Sequence, residues 1–297
     1  MFKSLIYTGF ITLFLAGCKN TSTNNTETKM PDTKPIESKG KYADVNGLHM
    51  YYEIHGTGVP LVLIHGGGST LQTTFGRVIS LFAKNHKVIA VEMQAHGHTA
   101  DIDRPLSFEQ DADDVAELLK HLKIDKADVF GFSNGASTTL QMAIRHPDLV
   151  NKIVVASTFY NKSGAQPWFF DMMKNATFEQ MPKPYKDAYL KINPDSAALT
   201  QMYLRDVTRM QNFVEITAEQ MKSIKAPSFI IASDNDVVTP EHAVAMYRML
   251  PQSKLAIFPG GHGEYIGELT MPQDSAVIAG TVSMIESFLH GSEEAKK

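Results

Sequence analysis

The 297-residue sequence predicts an α/β protein, with a mostly parallel sheet covered by helices on both faces. Over most of the chain, short apolar runs of strand character alternate with longer stretches of helical apolar spacing. A hydrophobic content of 43% is enough for one large core. The alternation stops over about 157–225, where strand patterns vanish and methionines occur among helical stretches. We therefore expect a helical insertion within the α/β domain.

The predicted strands are short apolar runs bounded by turn residues. Asn46-Gly47 separates the first two runs and is favoured in the two-residue turn of a β-hairpin. The later runs have no polar alternation, as expected of parallel strands that are buried on both faces. Asp128 comes just before the serine motif described below, and we expect it to face solvent. The predicted strands are 42–45, 49–54, 59–64, 87–92, 127–130, 152–156, 227–232 and 254–258.

The predicted helices have start and stop signals. Ser107 and Gln110 form the pattern of a capping box at the beginning of one helix. Acidic residues that follow in its first turns (Asp111, Asp113 and Asp114) favour a helix amino terminus. Pro147 stops another helix. The predicted helices are 107–123, 136–146, 240–249 and 276–289.

The most informative motif is Gly131-Phe132-Ser133-Asn134-Gly135, between a predicted strand and a predicted helix. A tight turn from strand to helix brings backbone segments close together, so small residues must flank the serine. The turn would hold the Ser133 hydroxyl at the carboxyl end of the strand. This context is typical of a catalytic serine nucleophile. The alternative is a glycine-serine loop without chemistry.

The partners that a serine nucleophile needs follow in the chain order Ser, Asp, His. A serine hydroxyl is a weak nucleophile until a histidine takes its proton, and a carboxylate must orient that histidine. Asp234 and Asp236 follow one predicted strand, and His262 lies between glycines after the next. On spacing alone, either aspartate could serve.

A glycine loop supplies candidate donors for a developing oxyanion. His65-Gly66-Gly67-Gly68 follows a predicted buried strand, and backbone amides exposed by glycines can point at such a charge. We expect the amides of Gly67 and Asn134 to form the pair, with Gly68 as the substitute. A phosphate-binding loop is the alternative, but the lysine-serine ending of that motif is absent.

Together these motifs resemble the α/β-hydrolase superfamily, in its branch of small lidded esterases, lactonases and cofactor-free haloperoxidases. The similarity covers about 41–290, although 92–99 departs from the aspartate and arginine more usual in that branch. The resemblance implies an α/β-hydrolase fold with a helical lid at about 157–225 and no cofactor. It also implies Asp236 as the acid, because the family's aspartate lies four residues before the proline that is Pro240 here. Trp168 and Phe169 in the lid are candidate substrate contacts.

The resemblance implies a serine hydrolase that cleaves small or medium carboxylic esters or lactones through an acyl-enzyme. Carbon–carbon bond hydrolysis, perhydrolase activity, aminopeptidase activity and a non-catalytic ligand-binding lipoprotein stay open as alternatives. The net charge of −4 gives no reason to expect nucleic acid as a partner. We expect no metal site, because His65, His96 and His98 lack the helical spacing that places two ligands on one face.

The amino terminus predicts export and lipid anchoring. Lys3 and an apolar stretch precede Leu15-Ala16-Gly17-Cys18, which resembles the bacterial lipobox. We therefore predict a signal peptide over 1–17, lipidation at Cys18, a disordered tether over 18–40 and a hydrolase domain over 41–297. The protein would lie in a bacterial cell envelope, outside the cytoplasm and held to a membrane by lipid. An uncleaved anchor and an ordinary signal with an incidental cysteine are the alternatives.

Overall fold

A computed structural model of the protein describes residues 40–291, so the predicted signal peptide, Cys18 and nearly all of the tether lie outside the described residues. The described residues contain one eight-stranded sheet with the order β1-β2-β4-β3-β5-β6-β7-β8. The first two strands pair as an antiparallel hairpin, and β2 pairs antiparallel with β4. Every other neighbouring pair is parallel. The strands are β1 (Lys41–Val45), β2 (Leu48–His55), β3 (Val59–Ile64), β4 (His86–Val91), β5 (Ala127–Phe132), β6 (Val150–Ala156), β7 (Ser228–Ser233) and β8 (Ser253–Phe258).

Helices cover the sheet on both faces, as the sequence predicts. Alternate side chains of one strand enter different cores: Val62 and Ile64 belong to one buried apolar cluster, Leu61 and Leu63 to another. This alternation follows from the two-residue period of a strand. The helices are α1 (Leu71–Phe75), α2 (Ile79–Phe82), α3 (Phe108–His121), α4 (Asn134–Arg145), α5 (Phe169–Lys174), α6 (Lys183–Ile192), α7 (Ser196–Gln211), α8 (Ala218–Ser223), α9 (Pro240–Met249) and α10 (Ser275–His290).

The segment between β6 and β7 is helical and contains α5 to α8, in agreement with the predicted loss of strand patterns there. Its α5 and α7 pack against each other, and α7 is the longest of the four. We call this segment, residues 157–227, the lid. No helix within residues 40–291 has the length and apolarity needed to cross a bilayer.

The prediction that Asp128 faces solvent was wrong, because the structure buries this side chain. Asp128 is 1% exposed, since its carboxylate accepts hydrogen bonds from the Asn151 side chain and the Lys152 backbone on the neighbouring strand. Asp111 lies in the first turn of α3, as the sequence predicts, and both Asp111 and Asp114 are buried in ion pairs with arginines. The capping box at α3 is half formed, because Ser107 accepts from the Gln110 backbone while the Gln110 side chain donates to Asp114.

Candidate active site

Ser133 lies at a strained turn between β5 and α4. Its backbone has φ 54° and ψ −120°, a conformation that is unfavourable for a residue with a side chain. The flanking glycines allow the close approach of backbone that the sequence predicts. A Cβ on Gly131 would lie 2.1 Å from the Gly135 carbonyl oxygen, and one on Gly135 would lie 2.0 Å from the Ile64 carbonyl oxygen. The turn therefore holds the serine at the carboxyl end of β5, against the end of β3.

The structure brings Ser133, His262 and Asp236 into one hydrogen-bonded line. His262 Nε2 lies 3.1 Å from Ser133 Oγ, and His262 Nδ1 lies 2.6 Å from Asp236 Oδ1. The neutral histidine that fits this line donates from Nδ1 to the carboxylate and accepts the serine proton at Nε2. Asp234, the alternative from spacing, instead accepts a hydrogen bond from the Gly260 backbone at 2.9 Å. Asp236, and not Asp234, is therefore the aspartate that contacts His262.

Sequence reasoning missed the groups that surround Asp236. Its Oδ2 accepts hydrogen bonds from the Ser157 hydroxyl and from the Ser233 backbone, and its Oδ1 accepts from the Val237 backbone at 2.7 Å. Burial opposes ionisation of the carboxyl, but His262 and these donors outweigh it and hold its pKa below the usual value. The site therefore keeps Asp236 ionised beside the histidine.

Ser157 has its own supporting partner. The phenol of Tyr265, fully buried, lies 2.7 Å from Ser157 Oγ and donates to it, because the Ser157 proton goes to Asp236. Ser157 has φ 55°, so its backbone is in the left-handed region at the end of β6. A non-glycine residue held there has no simple sequence signal, which explains why the pattern of the chain did not identify it.

The glycine loop after β3 faces the helix that begins at Asn134. A Cβ on Gly67 would lie 2.3 Å from Asn134 Nδ2, so the two segments are in close contact. Within residues 40–291, the backbone N–H groups of Gly67 and Asn134 donate to no protein group. The Gly68 N–H, the predicted substitute, donates to Asp206 Oδ2 at 2.5 Å and is therefore occupied.

The histidines near this loop are engaged with protein groups. His65 donates from Nδ1 to the Gly66 carbonyl and accepts at Nε2 from the Met93 N–H. Burial, reinforced by the nearby charge of His96, lowers the pKa of His65 to about 3, so the ring stays neutral. His98 pairs with Glu92, with 2.7 Å between Nδ1 and Oε2.

A separate group of possible metal ligands lies at the amino-terminal end of the parallel strands, opposite the end that holds Ser133. His86, Glu286 and His290 have ligand atoms within 4.8 Å of one another. His86 begins β4, whereas Ser133 follows the carboxyl end of β5, which runs in the same direction. These residues are therefore distant from the serine and take no part in its site.

Ser133 and His262 open onto a cavity of about 470 Å³ beneath the lid. Its walls are mainly apolar and include Phe169 and several methionines, which adapt well to irregular apolar groups. Trp168 does not line this cavity, and its side chain is 50% exposed. The methionines that line the cavity are Met172, Met173, Met181 and Met210.

Comparisons with known proteins agree with this architecture. The family model described as "alpha/beta hydrolase fold" matches residues 59–192. The solved structure of an enol-lactonase from Burkholderia xenovorans LB400 superposes with a TM-score of 0.66 at 19% identity, covering 84% of this chain and all of that chain. The chain has the α/β-hydrolase fold.

Curated relatives of this chain are hydrolases. The human serine hydrolase BPHL is 26% identical, over 73% of this chain and 77% of the relative. The 2-hydroxy-6-oxo-6-(2'-aminophenyl)hexa-2,4-dienoic acid hydrolase of Metapseudomonas resinovorans is 30% identical over 39% of this chain and 41% of the relative. The protein is a hydrolase, and its fold matches that of the solved structure over nearly the whole described domain.

Proposed function

We propose that this hydrolase cleaves small or medium carboxylic esters or lactones through an acyl-enzyme intermediate on Ser133. The observation that carries the proposal is the line of hydrogen bonds from Asp236 through His262 to Ser133, at the wall of an apolar cavity. Such a line converts a weakly nucleophilic hydroxyl into a strong one. A cavity of about 470 Å³ suits a substrate of small to medium size.

In the first half of the reaction, Ser133 Oγ attacks the ester carbonyl while its proton passes to His262 Nε2. Asp236 accepts from Nδ1–H, which holds the ring in the required tautomer and stabilises the imidazolium that forms. The negative charge on the carbonyl oxygen is received by the N–H groups of Gly67 and Asn134, which donate to no protein group within residues 40–291. One such donor typically contributes a factor of about 100 or more to the rate.

The intermediate then collapses, and His262 gives its proton to the leaving alkoxide. In the second half, a water molecule attacks the acyl carbon while His262 removes its proton. His262 then returns the proton to Ser133 Oγ as the bond from Oγ to the acyl carbon breaks and the acid product is released. Burial of the site beneath the lid strengthens each of these charge interactions, because water is excluded.

A fluorophosphonate reagent with a fluorescent tag tests the mechanism, because it reacts covalently only with an activated serine. We expect labelling of the wild-type protein and none of the Ser133→Ala variant. The matched control is Ser163→Ala, an exposed serine on the lid, which should label fully. Hydrolysis of p-nitrophenyl butyrate should fall by at least about 10⁴-fold in Ser133→Ala and in His262→Ala, since triad members act as a unit. Equal labelling of Ser133→Ala and wild type would refute the assignment.

A substrate panel separates the other reactions that the same residues could perform. An aliphatic ester series, a lactone, a proline arylamide and a vinylogous 1,5-diketone should be compared by kcat/KM. We expect the ester or lactone to exceed the arylamide by at least about 100-fold. A charged peptide amino terminus needs a free carboxylate, and the one carboxylate among the described residues of the wall, Asp206, already binds the Gly68 N–H, His96 and Arg209. A higher kcat/KM for the diketone than for the esters would show that carbon–carbon bond hydrolysis, not ester cleavage, is the main activity.

We also propose that the protein is exported and anchored to a membrane of a bacterial cell envelope through lipid on Cys18. Support comes from the lipobox-like Leu15-Ala16-Gly17-Cys18 alone. Cells fed an alkyne-bearing palmitate should give a labelled protein in the membrane fraction. Cys18→Ala should abolish the label and keep the protein out of that fraction. A wild-type protein without label would refute the proposal.

A further inference from the structure

A carboxylate of the lid contacts the glycine loop of the site. Asp206 belongs to α7, and its Oδ2 accepts a hydrogen bond of 2.5 Å from the Gly68 N–H, 138 residues away in sequence. A Cβ on Gly67 would lie 3.2 Å from the same oxygen. The carboxylate therefore lies against Gly67 and Gly68, and the N–H of Gly67 is a proposed oxyanion donor.

His96 supports Asp206 from the loop after β4, and its contacts require a charged ring. Its Nε2 lies 2.9 Å from Asp206 Oδ2, and its Nδ1 lies 2.8 Å from the Gln94 carbonyl oxygen. An ionised carboxylate and a carbonyl can only accept, so both ring nitrogens must donate. Burial alone would favour the neutral ring, but Asp206 outweighs it and raises the pKa of His96.

Arg209 completes the group one turn further along α7. Its guanidinium donates to Asp206 Oδ1 and, over 2.8 Å, to Asp111 Oδ2 on α3. Burial opposes the charge on Asp206, but His96 and Arg209 keep its pKa well below the ordinary value. Two carboxylates thus balance two cations, and all four residues are buried. Both positive charges of this group are therefore paired with carboxylates.

We propose that Asp206 is a positioning and specificity residue, an inference that rests on the ester hydrolysis proposed above. From the lid it holds Gly67 and Gly68 in the geometry that receives the oxyanion. By pairing with His96 and Arg209, it also leaves no unpaired cation beside the cavity. The acyl group that this site accepts is consequently neutral and apolar, and carboxylate-bearing substrates are excluded.

The exclusion of substrates that carry a carboxylate follows from the residues that line the cavity. Among the described residues of its wall there is no lysine or arginine, and Asp206 is the one carboxylate. A substrate carboxylate would therefore be buried without a partner, which is costly in an apolar environment. Removing the charge of Asp206 would remove the one negative charge of this wall, and with it the repulsion of a substrate carboxylate, so the preference should weaken.

Two chromogenic esters of matched length test the specificity. We expect wild-type kcat/KM for p-nitrophenyl butyrate to exceed that for mono-p-nitrophenyl succinate at least 100-fold. In Asp206→Asn this ratio should fall at least tenfold, and kcat for the butyrate ester should fall about tenfold because the hydrogen bond that holds the loop is weakened. In Asp206→Glu, which keeps the charge but displaces it, kcat should fall while the ratio persists. An unchanged ratio in Asp206→Asn would overturn the specificity role.

Asp101→Asn is the matched control. Asp101 also pairs with an arginine of α7, Arg205, at 2.9 Å, but it does not contact the glycine loop. This variant should keep both the ratio and the kcat of the wild type. Equal effects in Asp101→Asn and Asp206→Asn would show that general docking of α7 is responsible, and would refute a specific role of Asp206.

Hydrogen exchange followed by mass spectrometry tests the positioning without any turnover. A peptide that contains Gly67 and Gly68 should exchange faster in Asp206→Asn than in wild type or Asp101→Asn, because a neutral amide oxygen is a weaker acceptor for the Gly68 N–H than a carboxylate. Unchanged exchange would overturn the positioning role. A wild type that hydrolyses neither ester and takes no fluorophosphonate would refute the proposed function, and the exchange result would still decide whether Asp206 holds the loop.

Discussion

Acid should destabilise the protein through His242, a residue of α9 outside the active-site cavity. The ring is 7% exposed and stacks on Tyr160, with 4.5 Å between ring centroids. Its Nε2 accepts a hydrogen bond of 3.2 Å from the Tyr160 backbone N–H, so the folded structure requires a neutral ring. Burial lowers the pKa of His242 to about 4, whereas the unfolded chain has a value of about 6.5.

The sign and size of the effect follow from these two pKa values. Between pH 6.5 and 4, His242 is protonated in the unfolded state but not in the folded state, so the free energy of unfolding falls as the pH falls. Each pH unit in that window costs about 1.4 kcal/mol, which gives a loss of about 2 kcal/mol at pH 5 from His242. Above pH 6.5 both states are neutral and the contribution disappears.

Urea unfolding followed by far-UV circular dichroism at pH 7.5, 6.5, 5.5 and 5.0 measures this loss. His242→Gln keeps an acceptor near the Tyr160 N–H but cannot be protonated. The wild type should therefore lose about 2 kcal/mol more than the variant between pH 7.5 and 5.0. The control is His49→Gln, at an exposed histidine of β2, which should follow the wild type. A difference between wild type and His242→Gln that does not change with pH would refute the reasoning.

Three further substitutions test other parts of the structure. Gly135→Ala should cost at least about 3 kcal/mol in urea unfolding or prevent folding, since its Cβ would meet the Ile64 carbonyl. Gly280→Ala, exposed in α10 with no atom within 4 Å of the new Cβ, should instead gain about 1 kcal/mol; a loss would contradict the open space described. Ser157→Ala should lower kcat about tenfold and move the acid limb of the pH–rate profile to higher pH, because Asp236 loses a donor that lowers its pKa. An unmoved acid limb would show that Ser157 does not act through Asp236.

Local patterns were sufficient for the elements that depend on neighbouring residues. The hairpin at Asn46-Gly47, the strand-to-helix turn at Ser133 and the helical lid follow from turn chemistry, small residues and apolar period. The parallel sheet follows from the alternation of strands and helices. These features repeat in many proteins because their causes lie within a few residues.

Contacts between segments that are distant in sequence could not be predicted from local patterns. The burial of Asp128 was not predicted because its partners lie on β6, and the ion pair of Asp111 was not predicted because its arginine lies on the lid. Asp234 and Asp236 share one turn after β7, so only the direction of their side chains separates them. Likewise, no periodic pattern distinguishes Asp206 from the other acids of the lid.

The hydrogen bond from Gly68 to the lid limits how specificity can be redesigned in this protein. The walls of the cavity come mainly from a single inserted stretch of chain, which invites exchange of that stretch between relatives. Yet α7 also supplies Asp206, the acceptor for the backbone N–H of Gly68 in the glycine loop of the active site. A chimaera that imports a foreign lid must therefore import a carboxylate at the position of Asp206, because otherwise the Gly68 N–H loses its acceptor and the buried His96 loses its partner.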